Sequence, residues 1–170
     1  MKLVNRITIC ERKISREYPQ RPLIGVGAII IKGLSVVLVR RSKDPSIGEW
    51  SIPGGLAQVG ETLSEAVTRE AWEETGLIVR QGPMVQLVER IILDSKDRVK
   101  YHYVIVDYRC LLIEGELVAG SDACEACWAP RERLDDYGLP DMKNVCIGNL
   151  WISVKKYVER YSKALSYGIH

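Results

Sequence analysis

The chain has 170 residues, 46% of them hydrophobic and 27% charged, with a formal net charge of +2. That length and apolar content are enough to bury one substantial core, so a single domain over residues 1–170 is expected. So mild a charge excludes a dedicated nucleic-acid or membrane surface, since both need clustered basic residues.

Residues 1–22 read as an N-terminal arm. The opening Met1-Lys2-Leu3-Val4-Asn5-Arg6 lacks the long apolar run of a secretion signal. No stretch reaches the roughly 18 apolar residues of a membrane span, and a cytoplasmic location is expected. Ile7 and Ile9 alternate as in a strand, and Tyr18-Pro19-Gln20-Arg21-Pro22 forms a stiff connector, an arm of the kind that serves a sheet edge or a homodimer contact. Leu23 to Ile31 is a nearly continuous β-branched run, repeated at Leu34 to Val39 after Lys32-Gly33, which predicts a central hairpin. Met84 to Leu93 and Val99 to Ile113 flank the polar turn Asp94 to Arg98 and predict a second, longer hairpin. Asp122 to Trp128 reads as a further strand entering the core. Over about 149–165, Leu150, Trp151, Val154, Val158, Tyr161 and Leu165 recur at helical spacing and predict a C-terminal packing helix.

The five cysteines, at 10, 110, 124, 127 and 146, are odd in number and scattered, so reduced thiols are expected. Cys124 and Cys127 form a Cys-x-x-Cys pair, but zinc needs two further ligands and the only histidines are His102 and His170. Buried packing is the expected role of the pair.

The most informative segment is 55–77. Thr62 and Glu65 form a capping box, Leu63 to Thr75 is rich in helix formers, and Gly76 supplies a left-handed stop. On that helix Glu70, Glu73 and Glu74 fall within an arc of roughly 100°. A solvated helix face would interleave lysines, and this one has none. Arg69, four residues before Glu73, can pair with it, but one guanidinium cannot neutralise three carboxylates on one turn. Hard oxygen donors without Cys or His suit Mg²⁺, or Mn²⁺, shared with substrate phosphates. The chemistry this implies is metal-assisted attack of water on a phosphoryl centre. A Ser/His/Asp or Cys/His nucleophile constellation is not evident.

The string Gly55-x5-Glu61-x7-Arg69-Glu70-Ala71-x-Glu73-Glu74-x-Gly76-Leu77 resembles the Nudix box of hydrolases that cleave a nucleoside diphosphate linked to another moiety. Chance would produce all its defined positions on the order of once in 10⁹ starting points. Trp50-Ser51-Ile52-Pro53-Gly54-Gly55 leads into the box as in many relatives, and Glu125-x-x-Trp128 resembles a later strand of the same fold. The resemblance implies an α/β fold in which a mixed β-sheet is sandwiched between helices, with the box as loop, helix and loop.

It further implies a nucleoside diphosphate-type substrate, with sugar nucleotides such as ADP-ribose first and nucleoside triphosphates, oxidised ones included, close behind. Glu70, Glu73 and Glu74 are the expected metal ligands and Glu61 supports the metal-bearing loop. Arg69 holds a ligand carboxylate in one rotamer. Gly54 and Gly55 either make a tight turn or let backbone amides approach phosphate, and both readings hold together. Arg40 and Arg41, ending a strand, are candidate phosphate contacts, and Trp50 is a candidate for stacking on a base or capping the core. In the family the proton acceptor is a box glutamate or a carboxylate on a later loop; Glu125 is preferred here over Asp122 and Glu116. A nucleotide-sensing regulator without turnover is the alternative of another class.

Overall fold

The computed structural model describes residues 15–42, 46–120 and 123–138. The arm expected over 1–22 is therefore seen only from Ser15, and the helix expected over 149–165 lies outside the described residues, as do Asp122, Cys10 and Cys146. Among the described residues seven strands and one α-helix make an α/β fold: β1 Leu23–Lys32, β2 Ser35–Arg41, β3 Trp50–Ser51, β4 Gly54–Leu56, α1 Leu63–Thr75, β5 Ile78–Leu93, β6 Val99–Glu114 and β7 Ala123–Pro130, then a 3-10 helix at Arg131–Tyr137. Among the described residues no helix is long and apolar enough to cross a membrane.

The sheet is mixed because β1 pairs in parallel with β6 while its other contacts are antiparallel. The parallel register runs from Leu23 opposite Tyr103 to Ile30 opposite Cys110. The other edge of β1 forks, taking β4 at Gly25 to Gly27 and β2 only at Ile31 and Lys32. The first predicted hairpin thus exists but parts after two residue pairs, and β2 goes on to pair with β3 and β7. In the second hairpin β5 starts at Ile78, six residues before the predicted Met84. Gly82-Pro83 reads locally as a break, yet the strand absorbs it as a bulge, with register shifts between Gln81 and Met84 and again before Gln86.

Alternation along β1 divides the core in two. Val26, Ala28 and Ile30 face α1 and pack with Ala66, Val67, Ala71, Val106 and Tyr108. Ile29 faces the other way, with Val36, Leu38, Ile52, Ala129 and Leu134. Helix α1 is capped as expected: Thr62 Oγ1 accepts from the Glu65 amide at 3.2 Å, the Thr62 amide donates to Glu65 Oε2 at 2.8 Å, and Gly76 sits at φ 69°. Burying Val67 is worth about 1.5–3 kcal/mol and helps seat the helix on the sheet, which fixes the direction of its acidic face. The Cys-x-x-Cys pair corrects one expectation: Cys124 is exposed and Cys127 half-buried, because residues three apart on a strand leave opposite faces.

Candidate active site

The acidic face of α1 meets the fork in β1. Glu74 is buried, and its Oε2 accepts a hydrogen bond from the Gly54 amide at 2.9 Å. Neither Gly54 nor Gly55 has positive φ; close approach is what requires glycine. A Cβ on Gly54 would stand 2.2 Å from the Val26 carbonyl oxygen, and one on Gly55 would stand 2.4 Å from Glu70 Oε1. The tight-turn reading of these glycines is therefore corrected. They form β4, laid against β1 on one side and against the Glu70 carboxylate on the other.

Arg69 organises the remaining acids. Its Nε and Nη2 donate to Glu61 at 2.7 and 2.9 Å, its Nη1 donates to Glu70 at 2.8 Å and Glu73 at 3.0 Å, and Nη2 also donates to the Leu56 carbonyl at 3.1 Å. The hydrogen bond to Glu61 first, then those to Glu70 and Glu73, hold the guanidinium pKa above its ordinary value. In turn Arg69 holds Glu61 below the usual carboxylate range, with help from the Gln58 amide at 2.8 Å. So one guanidinium serves three carboxylates after all, though not the three on the helix face: Glu61 takes a share and Glu74 turns to backbone. Among the described residues no three His, Cys, Asp or Glu side chains are gathered round a common point where a metal ion would sit.

The donor set nevertheless suits a hard cation. Glu70, Glu73 and Glu74 line one cavity of about 570 Å³ together with Gly54, Gly55, Arg41 and Trp50. All donors are carboxylate oxygens, and Gly55 leaves the place of a side chain to the Glu70 carboxylate. Glu73 and Glu74 also sit in the last turn of α1, which has no basic residue, a placement that disfavours anions by about 0.3–1 kcal/mol each. A shallower groove of about 760 Å³ on the outer side of α1 is lined by Val59, Glu65 and Trp72 and contains none of the three acids.

The other expected site residues divide. Arg41 and Trp50 line the cavity. Trp50 also packs edge-on to Tyr137 at 5.2 Å, so it caps the second core cluster as well. Arg40 and Glu125 do not line it. They are opposite one another on β2 and β7 and pair at 3.0 Å on the exposed side of the sheet, with Arg40 Nε donating to the Gly48 carbonyl. Side chains alternate along β2, so of two adjacent arginines only one can face the cavity. Glu116 is exposed and also lies outside the cavity lining.

Asp107 was not expected. It is completely buried in β6, lines the same cavity, and has its pKa pushed up to about 6 by burial, an effect that the hydrogen bond from Gln86 at 2.7 Å opposes. A lone carboxylate inside the apolar run Val104-Ile105-Val106-Asp107-Tyr108 was the signal available in the sequence.

A family model described as the NUDIX domain matches residues 21–146. An ADP-ribose pyrophosphatase of Methanocaldococcus jannaschii is 38% identical over 106 residues, which is 62% of this chain and 60% of that protein. A Mycobacterium tuberculosis protein provisionally named 8-oxo-dGTP diphosphatase 2 is 32% identical over 115 residues, covering 66% of this chain and 77% of that one. Among solved structures, a NUDIX hydrolase from Nitrosomonas europaea superposes with a TM-score of 0.63 at 22% identity, over 83% of this chain and 72% of that chain, a likeness of fold.

Proposed function

Since the chain belongs to the NUDIX family, we propose that it hydrolyses the pyrophosphate linkage of a nucleoside diphosphate derivative by attack of water, with ADP-ribose or another sugar nucleotide as first substrate. The observation that carries this reading is that Glu70, Glu73 and Glu74 line one cavity with the two glycines of β4. The Methanocaldococcus jannaschii relative, an ADP-ribose pyrophosphatase by name, supports the substrate class.

Glu70, Glu73 and Glu74 would hold Mg²⁺ or Mn²⁺, which when bound polarises phosphoryl oxygen and lowers the pKa of water. The chain's own residues do the positioning. Arg69 fixes the rotamers of Glu61 and Glu70 and ties both to the Leu56 carbonyl. Glu74 clamps β4 against the helix through the Gly54 amide, so the acids and the loop keep one spacing. Glu125 is engaged with Arg40 away from the cavity, whereas the box glutamates line it, which favours a box glutamate as the proton acceptor.

Hydrolysis in ¹⁸O-labelled water with Mg²⁺ tests the reading. One labelled oxygen is expected in a phosphate product from ADP-ribose, and recovery of intact ligand with no label incorporated would identify a binding protein without turnover. A nucleoside triphosphate pyrophosphohydrolase is the second reading, favoured by the Mycobacterium tuberculosis relative. Comparing kcat/KM for sugar nucleotides and for oxidised and ordinary triphosphates separates the two.

A further inference from the structure

Asp107 stands on the sheet face turned away from α1, in register with Gly27 of β1 and Gln86 of β5. The bulge before Gln86 brings that amide opposite the carboxyl, and Gln86 Nε2 donates to Oδ2 at 2.7 Å. Among the described residues Oδ1 has no hydrogen-bond partner. It lies over Gly27, where a Cβ would stand 2.1 Å from it and 2.7 Å from Ile52 Cδ1. Glycine at this register is therefore what makes room for the carboxyl. Two more cavity-lining residues carry buried polar atoms with no hydrogen-bond partner among the described residues, Arg41 Nε and Ser51 Oγ. Buried polar atoms are nearly always paired, by protein or by ordered water, and three such atoms lining one cavity are placed to meet a ligand there.

We propose that Asp107 is a specificity-determining residue whose Oδ1 accepts a hydrogen bond from the base amino group or from a hydroxyl of the second sugar of the substrate. The proposal rests on the hydrolase reading for the kind of ligand the cavity takes. An acceptor held by Gln86 on one oxygen and open on the other rejects a substrate lacking that donor, because the carboxylate is then left buried and unpaired. The ionisable groups that share the cavity wall are Arg16 ahead of β1, Arg41 from β2, Glu49 ahead of β3, Arg90 from β5 and Tyr103 on β6 itself, with the glutamates and Arg69 across from them on α1.

The test is calorimetric titration in Mg²⁺-free buffer with EDTA, using ADP-ribose, its inosine analogue, which lacks the base amino group, and ADP, which lacks the second sugar. In wild type, loss of one of these two groups is expected to weaken binding about 10–100-fold and so to name the donor. Asp107→Asn keeps the bond from Gln86 but puts an N–H where Oδ1 was. It should weaken ADP-ribose by the same factor and leave the ligand without the donor unchanged. Wild-type affinity for ADP-ribose should also tighten as pH rises through about 6, whether or not the variant folds. Equal loss for all three ligands, no selectivity in wild type, no binding at all, or an affinity flat across that pH range each overturns the proposal. Absence of turnover with the selective pattern intact would instead overturn hydrolysis and leave Asp107 standing.

Discussion

Two charged clusters in this protein are built on opposite ratios. At the β5–β6 turn a single carboxylate, Asp94, receives the backbone amides of Lys96 and Arg98, the Arg98 guanidinium and the Tyr18 hydroxyl. At α1 a single guanidinium, Arg69, serves Glu61, Glu70 and Glu73, while Glu74 accepts from the Gly54 amide. The first cluster has more donors than charge and closes a turn. The second gathers four carboxylates round one guanidinium, with Glu73 and Glu74 in the last turn of a helix that has no basic residue there, which supports the cation site proposed above.

The largest expected effect separates the two clusters by activity. Glu73→Gln and Glu74→Gln should each lower kcat at least about 100-fold with the melting temperature nearly unchanged, since the amide retains an acceptor for Gly54 or Arg69. Turnover unaffected in Mg²⁺ would remove the distinction. Next is Arg69→Ala, which takes the counter-charge from the partly buried Glu61 and Glu70 and from the exposed Glu73 and should cost about 2–4 kcal/mol in urea unfolding. Mg²⁺ should restore more stability to that variant than it adds to wild type. If it adds nothing to either, the acidic face is not a cation site.

Acid sharpens the comparison through sign. The folded-state pKa of Asp107 is raised to about 6, so its contribution is full below the ordinary carboxylate value of about 4 and is lost as pH rises to about 6. Asp107→Asn should therefore be more stable than wild type by about 2 kcal/mol at neutral pH and show no advantage at about pH 4. Asp94 runs the other way. The Arg98 backbone amide, then its guanidinium, the Lys96 amide and Tyr18 depress its pKa, so its stabilisation is present above about pH 4 and fades as pH falls below that value. Asp94→Asn should give the smallest change, visible as a lower melting temperature at neutral pH that narrows in acid.

What could be read from sequence was local. Thr62, Glu65 and Gly76 bound the helix because caps are encoded within a few residues, and Glu70, Glu73 and Glu74 follow from helical angle alone. The parallel pairing of β1 with β6, the absorption of Gly82-Pro83 into β5 and the meeting of Arg40 with Glu125 depend on partners far away in the chain. For the same reason Gly27 and Asp107 carry no meaning singly. Each is explained by the other, eighty residues apart, once the register is known.

The forked edge of β1 has a dynamic consequence. Its central residues are tied on one side to β6, while Ala28 N–H reaches the Pro53 carbonyl at 2.8 Å and Gly54 N–H reaches Glu74. A rearrangement of the glycine segment breaks its ladder to β1 at Gly25 to Gly27 together with these two hydrogen bonds. The amide protons of Ala28 and Gly54 should consequently exchange with deuterium on the timescale of global unfolding, slower than those of Gln58 to Gly60 a few residues on, so that the floor of the cleft is a rigid anvil and adaptation to different substrates is confined to its rim.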